Sequence, residues 1–113
     1  MRYILNSSVM TSYGTYEYKE ITSKSAKDWL NEGDFESAVG YAETCAAFNL
    51  LFGDDITLSV NKKIIIMDAG DEALVFSIML PLGAARIAFE DKGNLTPEFV
   101  LLNCKLGLLK RII

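Results

Sequence analysis

The stretch from Tyr41 to Phe52 constrains the fold more than any other. Ala42, Cys45, Ala46, Phe48, Asn49 and Phe52 recur at helical spacing, and Ala47, Leu50 and Leu51 widen the apolar stripe. A helix this apolar must be buried over most of its circumference, under a sheet or in a dimer interface. Gly53 is placed to stop it. Just upstream, Phe35 to Val39 reads as a short β segment ending at Gly40, so the helix starts at or just after Tyr41. A strand-to-helix junction leaves backbone N–H groups free at the helix N-terminus, which suits an anion. Tyr41 at its mouth offers a ring to stack on a base or a hydroxyl to hydrogen bond. The same residue also fits a plain turn with a core tyrosine.

The other elements follow from local pattern. Tyr3-Ile4-Leu5 reads as a buried strand halted by the polar cluster Asn6-Ser7-Ser8. Tyr13 to Ile21 favours a strand, with Tyr16 and Tyr18 on one face. Thr22 or Ser23 caps a helix carried by Ala26, Trp29 and Leu30 and ended around Gly33. Lys63 to Met67 is a continuous apolar run, as expected of a central strand. After a turn at Asp68 to Asp71, Glu72 to Leu80 reads as the next strand, its hairpin partner or near neighbour. Pro81-Leu82-Gly83 ends it. Ala84 to Phe89 fits a short strand or an irregular connection. Thr96, Pro97 and Glu98 open a short helix, and Leu106 to Ile113 forms the final strand. This order predicts a single α/β (α+β) domain over residues 1–113, a mixed central sheet of about five strands with two or three helices.

Composition removes several functions. The 113 residues carry a net charge of −4, against the basic face expected of a DNA or general nucleic-acid binder. There is no histidine, and the two cysteines, Cys45 and Cys104, are far apart. A zinc site is therefore not expected, and both cysteines read as small buried hydrophobes. The N-terminal residues have no signal-peptide h-region, and no apolar run is long enough to cross a bilayer. A reducing cytoplasm fits. Glu43 suits the first turn of its helix, Asp54-Asp55 reads as a solvated loop, and Gly70-Asp71 as a turn.

Several segments, in order, resemble the viral ring nucleases, also called type III anti-CRISPR proteins. Tyr3-Ile4-Leu5-Asn6 is similar to the opening strand of that family, Ile21 to Leu30 to its first helix, and Ser37-Ala38-Val39-Gly40 to its Ser-Ala-Ile-Gly segment. Val60-Asn61-Lys62 resembles its Val-Asn-Arg. Gly70-Asp71 with Ala73 to Phe76 resembles its Gly-Asp-x-Ala-Leu-Val-Phe, and Leu106 to Leu109 its closing Leu-Gly-Leu-Leu. The resemblance implies a homodimer with a pocket across the two-fold axis that takes cyclic tetra-adenylate, a defence second messenger. It implies cleavage without metal or cofactor: the ribose 2′-hydroxyl attacks the phosphate and a histidine protonates the leaving oxygen.

The chain departs from this pattern where the chemistry lies. Tyr41 stands at the family histidine, and a phenol is a far weaker acid than an imidazolium at neutral pH. Lys62 replaces the arginine of Val-Asn-Arg, a point charge for a fork. Met79 and Leu82 stand where the family has the arginine and glutamate of Arg-Leu-Pro-Glu-Gly. The changes point one way, to a pocket that takes fewer phosphates or holds a ligand uncut. The expected function is sequestration of a cyclic nucleotide in the host cytoplasm, with no catalytic residue. Asn6, Ser7, Ser8, Gly40, Tyr41, Thr44, Lys62, Met79 and Leu82 are its expected lining. The alternatives are a ring nuclease driven by alignment of the 2′-hydroxyl, aided by Tyr41 or Lys62, and a protein-interaction module with no small ligand.

Overall fold

The structure, a computed structural model, describes residues 1–7, 13–53, 56–78, 100 and 103–113. Five strands form one mixed sheet: β1 (Arg2–Leu5), β2 (Tyr16–Glu20), β3 (Glu36–Ser37), β4 (Glu72–Ile78) and β5 (Cys104–Arg111), ordered β2-β5-β4-β1-β3. β1 runs parallel to both β3 and β4, while β5 is antiparallel to β4 and β2. The two described helices are α1 (Ser23–Asn31) and α2 (Ala42–Phe52). The mixed sheet with flanking helices is the architecture expected from the sequence.

Strand pleating sends alternate side chains to opposite faces. Ile4 of β1, Leu74 and Phe76 of β4 and Leu106 of β5 meet the helices, packing with Ala26, Trp29 and Leu30 of α1 and with Cys45, Ala47, Phe48 and Phe52 of α2. Tyr3, Leu5, Ala73, Val75 and Leu109 point the other way and are covered by Ile65 and Met67. The central strands are thus apolar on both faces because both are covered. Trp29 is the expected core anchor: its Nε1–H donates to Glu72 Oε2 at 3.1 Å, and the Arg2 guanidinium lies 3.9 Å from its ring centre. Thr22 caps α1, its Oγ1 accepting from the Ser25 N–H at 3.1 Å.

Two expectations change. Lys63 to Met67 is not a central strand, nor any strand of the sheet, so β4 has no hairpin partner there. The run carries no regular secondary structure, and its residues alternate: Ile65 and Met67 cover the second face, while Ile64 and Ile66 are exposed. A helix has no such period of two, so apolar content alone disguised a covering segment as a strand. α2 is covered over most of its circumference, as expected: Thr44, Cys45, Ala47, Phe48 and Phe52 are buried, and the exposed Ala42, Ala46 and Leu50 share one narrow stripe. The second change is at the cysteines: Cys45 is buried but Cys104 is only half-buried. Gly53 caps α2 as expected, where a Cβ would lie 2.1 Å from the Asn49 carbonyl oxygen. The expectations for Asp54-Asp55, for Ala84 to Phe89 and for the helix opening at Thr96 lie outside the described residues.

The turn before β4 carries more than its sequence suggested. Gly70 takes φ +90°, a left-handed conformation open to glycine. Asp71 beside it is buried. Its carboxylate accepts from the Met1 ammonium and from the Asp68 N–H, both at 2.8 Å. Arg111, at the end of β5, donates to the carbonyls of Met67, of Tyr13 at 2.9 Å and of Ile113 at 3.0 Å. The chain start, the turn and the last strand are thereby joined.

Candidate functional site

β1 and β3 are parallel neighbours, and their carboxyl ends open on one side of the sheet. Open α/β sheets collect ligands outside such strand ends. Here Asn6 follows β1, and Ala38 to Tyr41 lead from β3 into α2. The third wall comes from the chain after α2. Asn49 fixes its start: the Asn49 amide donates to the Leu58 carbonyl at 2.9 Å and accepts from the Leu58 N–H at 2.7 Å. Asn61 fixes its end, its N–H donating to the Val39 carbonyl at 2.9 Å and its side-chain amide to that of Ser37 at 2.5 Å. Residues 62–64 are thereby laid beside the end of β3.

The result is a cleft of about 430 Å³ lined by Asn6, Ala38, Gly40, Tyr41, Lys62, Lys63 and Ile64. This lies within the range of small-molecule sites, roughly 300–1,000 Å³. Gly40 allows the close approach of the wall: a Cβ there would meet Lys62 Cγ at 3.2 Å and Cβ at 3.3 Å. Tyr41 is the N-cap of α2, extended and without a side-chain capping bond. Tyr41 is 58% exposed, so it is not the core tyrosine of the plain-turn reading.

Of the expected lining, Asn6, Gly40, Tyr41 and Lys62 come together here. Ser7 and Thr44 do not line the cleft, and Thr44 is buried within α2. Ser8, Met79 and Leu82 lie outside the described residues. Ala38, Lys63 and Ile64 were missed. The signal for the last two was the doublet Lys62-Lys63 just after Asn61, hidden once Lys63 was assigned to a strand.

The charges are unequal. Lys63 is ion-paired with Glu36 of β3, whereas Lys62 makes no ion pair among the described residues. Nearby, burial first, then the carboxylates of Asp71, Glu36 and Asp68, push the Tyr3 hydroxyl upward in pKa, with Lys63 opposing. Burial also pushes up the Cys45 thiol, which is 3.9 Å from the Val39 carbonyl oxygen and suits a packing role. The described lining holds two ammonium groups, an amide, a phenol and two apolar side chains, with no carboxylate, imidazole or thiol. Such a set suits an anion carrying a flat ring, with cations for its charge and a phenol beside them. Among the described residues, no His, Cys, Asp and Glu cluster suits a metal ion, and no helix is long and apolar enough to cross a membrane.

Comparison with known proteins sets this cleft in context. The sequence model of the STIV B116-like family matches residues 2–88. A curated relative, "Uncharacterized protein 26" of Sulfolobus islandicus filamentous virus (isolate Iceland/Hveragerdi), is 36% identical over 78 residues, 66% of this chain. The match spans 64% of that relative, less than two thirds of its length. The solved structure of B116 of Sulfolobus turreted icosahedral virus superposes with a TM-score of 0.74 at 18% identity, covering 97% of this chain and 98% of the other. At that identity the likeness establishes the fold.

Proposed function

Because this chain belongs to the STIV B116-like family, which has members in archaeal viruses, we propose that it is an anti-defence protein that sequesters a cyclic nucleotide second messenger without cutting it. The observation that carries this reading is the convergence of Asn6, Gly40, Tyr41 and Lys62 on one cleft at the strand-to-helix junction. Lys62 neutralises phosphate, and Tyr41, the N-cap of α2, stacks on a base. Tyr41 in place of the ring-nuclease histidine accounts for retention of the ligand. The acting form is a homodimer in the host cytoplasm, with the exposed Tyr41 and Ile64 against the second copy.

One observation favours a second reading. Val60, Ile64 and Ile66 are 53%, 78% and 64% exposed. Apolar side chains presented in this way also suit a protein partner, with no small ligand. A thermal-shift panel of cyclic mono-, di- and tetranucleotides and cyclic ADP-ribose isomers separates the two. A ligand at a hundredfold excess over its Kd stabilises the folded chain by about 2.7 kcal/mol, roughly 10 °C for a chain of this length. A shift of that size with at least one cyclic nucleotide is expected. A panel with no shift favours the protein-partner reading.

A further inference from the structure

The cleft carries two lysines, but they are not equivalent. Lys62 lies along Gly40 and makes no ion pair among the described residues. Lys63 is held by the Glu36 carboxylate, which stands on β3 opposite Tyr3 of β1. The fold does not depend on this pair to hold the wall in place, because Asn61 already ties it to the carbonyls of Ser37 and Val39. Both partners are partly exposed, so the pair adds little stability. Its consequence is electrostatic. It cancels one of the two cationic charges at the cleft.

We propose that Glu36 is the specificity-determining residue of the cleft, tuning it to cyclic nucleotides of low phosphate count by occupying Lys63. This inference rests on the nucleotide-binding reading above. Lys62 is then the cation that meets phosphate, and Lys63 contributes only when its carboxylate partner is removed.

The test is calorimetric titration of the wild-type protein, Glu36→Gln, Lys63→Gln and Lys62→Gln. The ligands are 3′,5′-cyclic AMP, cyclic di-adenylate and cyclic tetra-adenylate. Lys62→Gln is expected to weaken binding about 10-fold or more, the loss of one charge-assisted contact. Lys63→Gln is expected to change it less than about 2-fold. Glu36→Gln is expected to tighten it about 3-fold for cyclic AMP and more steeply for the tetranucleotide, in keeping with an exposed pair. Lys63→Gln matching Lys62→Gln, or Glu36→Gln leaving all three affinities unchanged, overturns the role of Glu36 while leaving the binding reading intact. Failure of the wild-type protein and every variant to bind any of the three overturns both.

Discussion

Phe48→Ala is expected to lower the melting temperature by roughly 12–20 °C. Phe48 is fully buried at the centre of α2. Its ring centre lies 4.9 Å from that of Phe52 and 5.8 Å from that of Phe76 on β4, the latter nearly edge-on at 84°. It is therefore the aromatic link between helix and sheet. Truncating a buried phenylalanine costs about 3–5 kcal/mol, from lost transfer energy and the cavity left behind. A chain of this length loses roughly 4 °C per kcal/mol. Leu50→Ala, on the exposed side of the same helix, is the matched control and is expected to cost less than about 1 kcal/mol. Equal losses for the two, measured by thermal denaturation, would contradict the assignment of the buried face.

Asp71→Asn is expected to cost about 2–3 kcal/mol at neutral pH. The carboxylate is buried and accepts two hydrogen bonds at 2.8 Å, one from a full positive charge. Bonds to charged groups contribute about 1.5–3 kcal/mol. Burial by itself raises the carboxyl pKa. The hydrogen bonds from the Met1 ammonium and the Asp68 N–H, with the charges of that ammonium and Arg111, outweigh burial and hold it below the ordinary 3.8. A carboxylate with a depressed native pKa stabilises the fold at pH values above its unfolded pKa. That contribution is lost as the pH falls through 3.8 toward the lower native value. Urea denaturation of both proteins from pH 7 downward should therefore show a gap that closes in acid. A gap that stays constant down to pH 2 would place the stabilisation elsewhere.

Much of the fold was legible because local and global signals agree. The apolar triplet Tyr3 to Leu5, the Thr22 cap, the Gly53 stop and the run Glu72 to Ile78 each stand where pattern and turn chemistry put them. The departures have a common physical origin. Hydrophobicity reports that a side chain is covered, not by what. Lys63 to Met67 looked like a central strand because it is apolar, yet it joins no strand of the sheet and covers it with Ile65 and Met67 alone. Its misplacement also hid Lys63 and Ile64 from the site. Asp71 looked like an ordinary turn residue because its partners are distant in sequence: an ammonium 70 residues earlier and a strand end 40 residues later. At the cleft, the junction of β3 and α2 was readable from Ser37 to Tyr41. The meeting of Asn6 with Lys62 depends on strand pairing and on the Asn61 anchor, neither of which local pattern specifies.

The central claim is that the cleft beside Gly40 and Tyr41 holds a cyclic nucleotide and leaves it intact. Native mass spectrometry of the purified protein, incubated without metal in a mixed panel of cyclic oligonucleotides and cyclic ADP-ribose isomers, tests it most directly. It reads stoichiometry, bound mass and product together. The account predicts a complex whose added mass equals that of an uncut cyclic nucleotide, with no linear product in solution. Linear product released by the protein, or protein that remains unliganded throughout the panel, would contradict it.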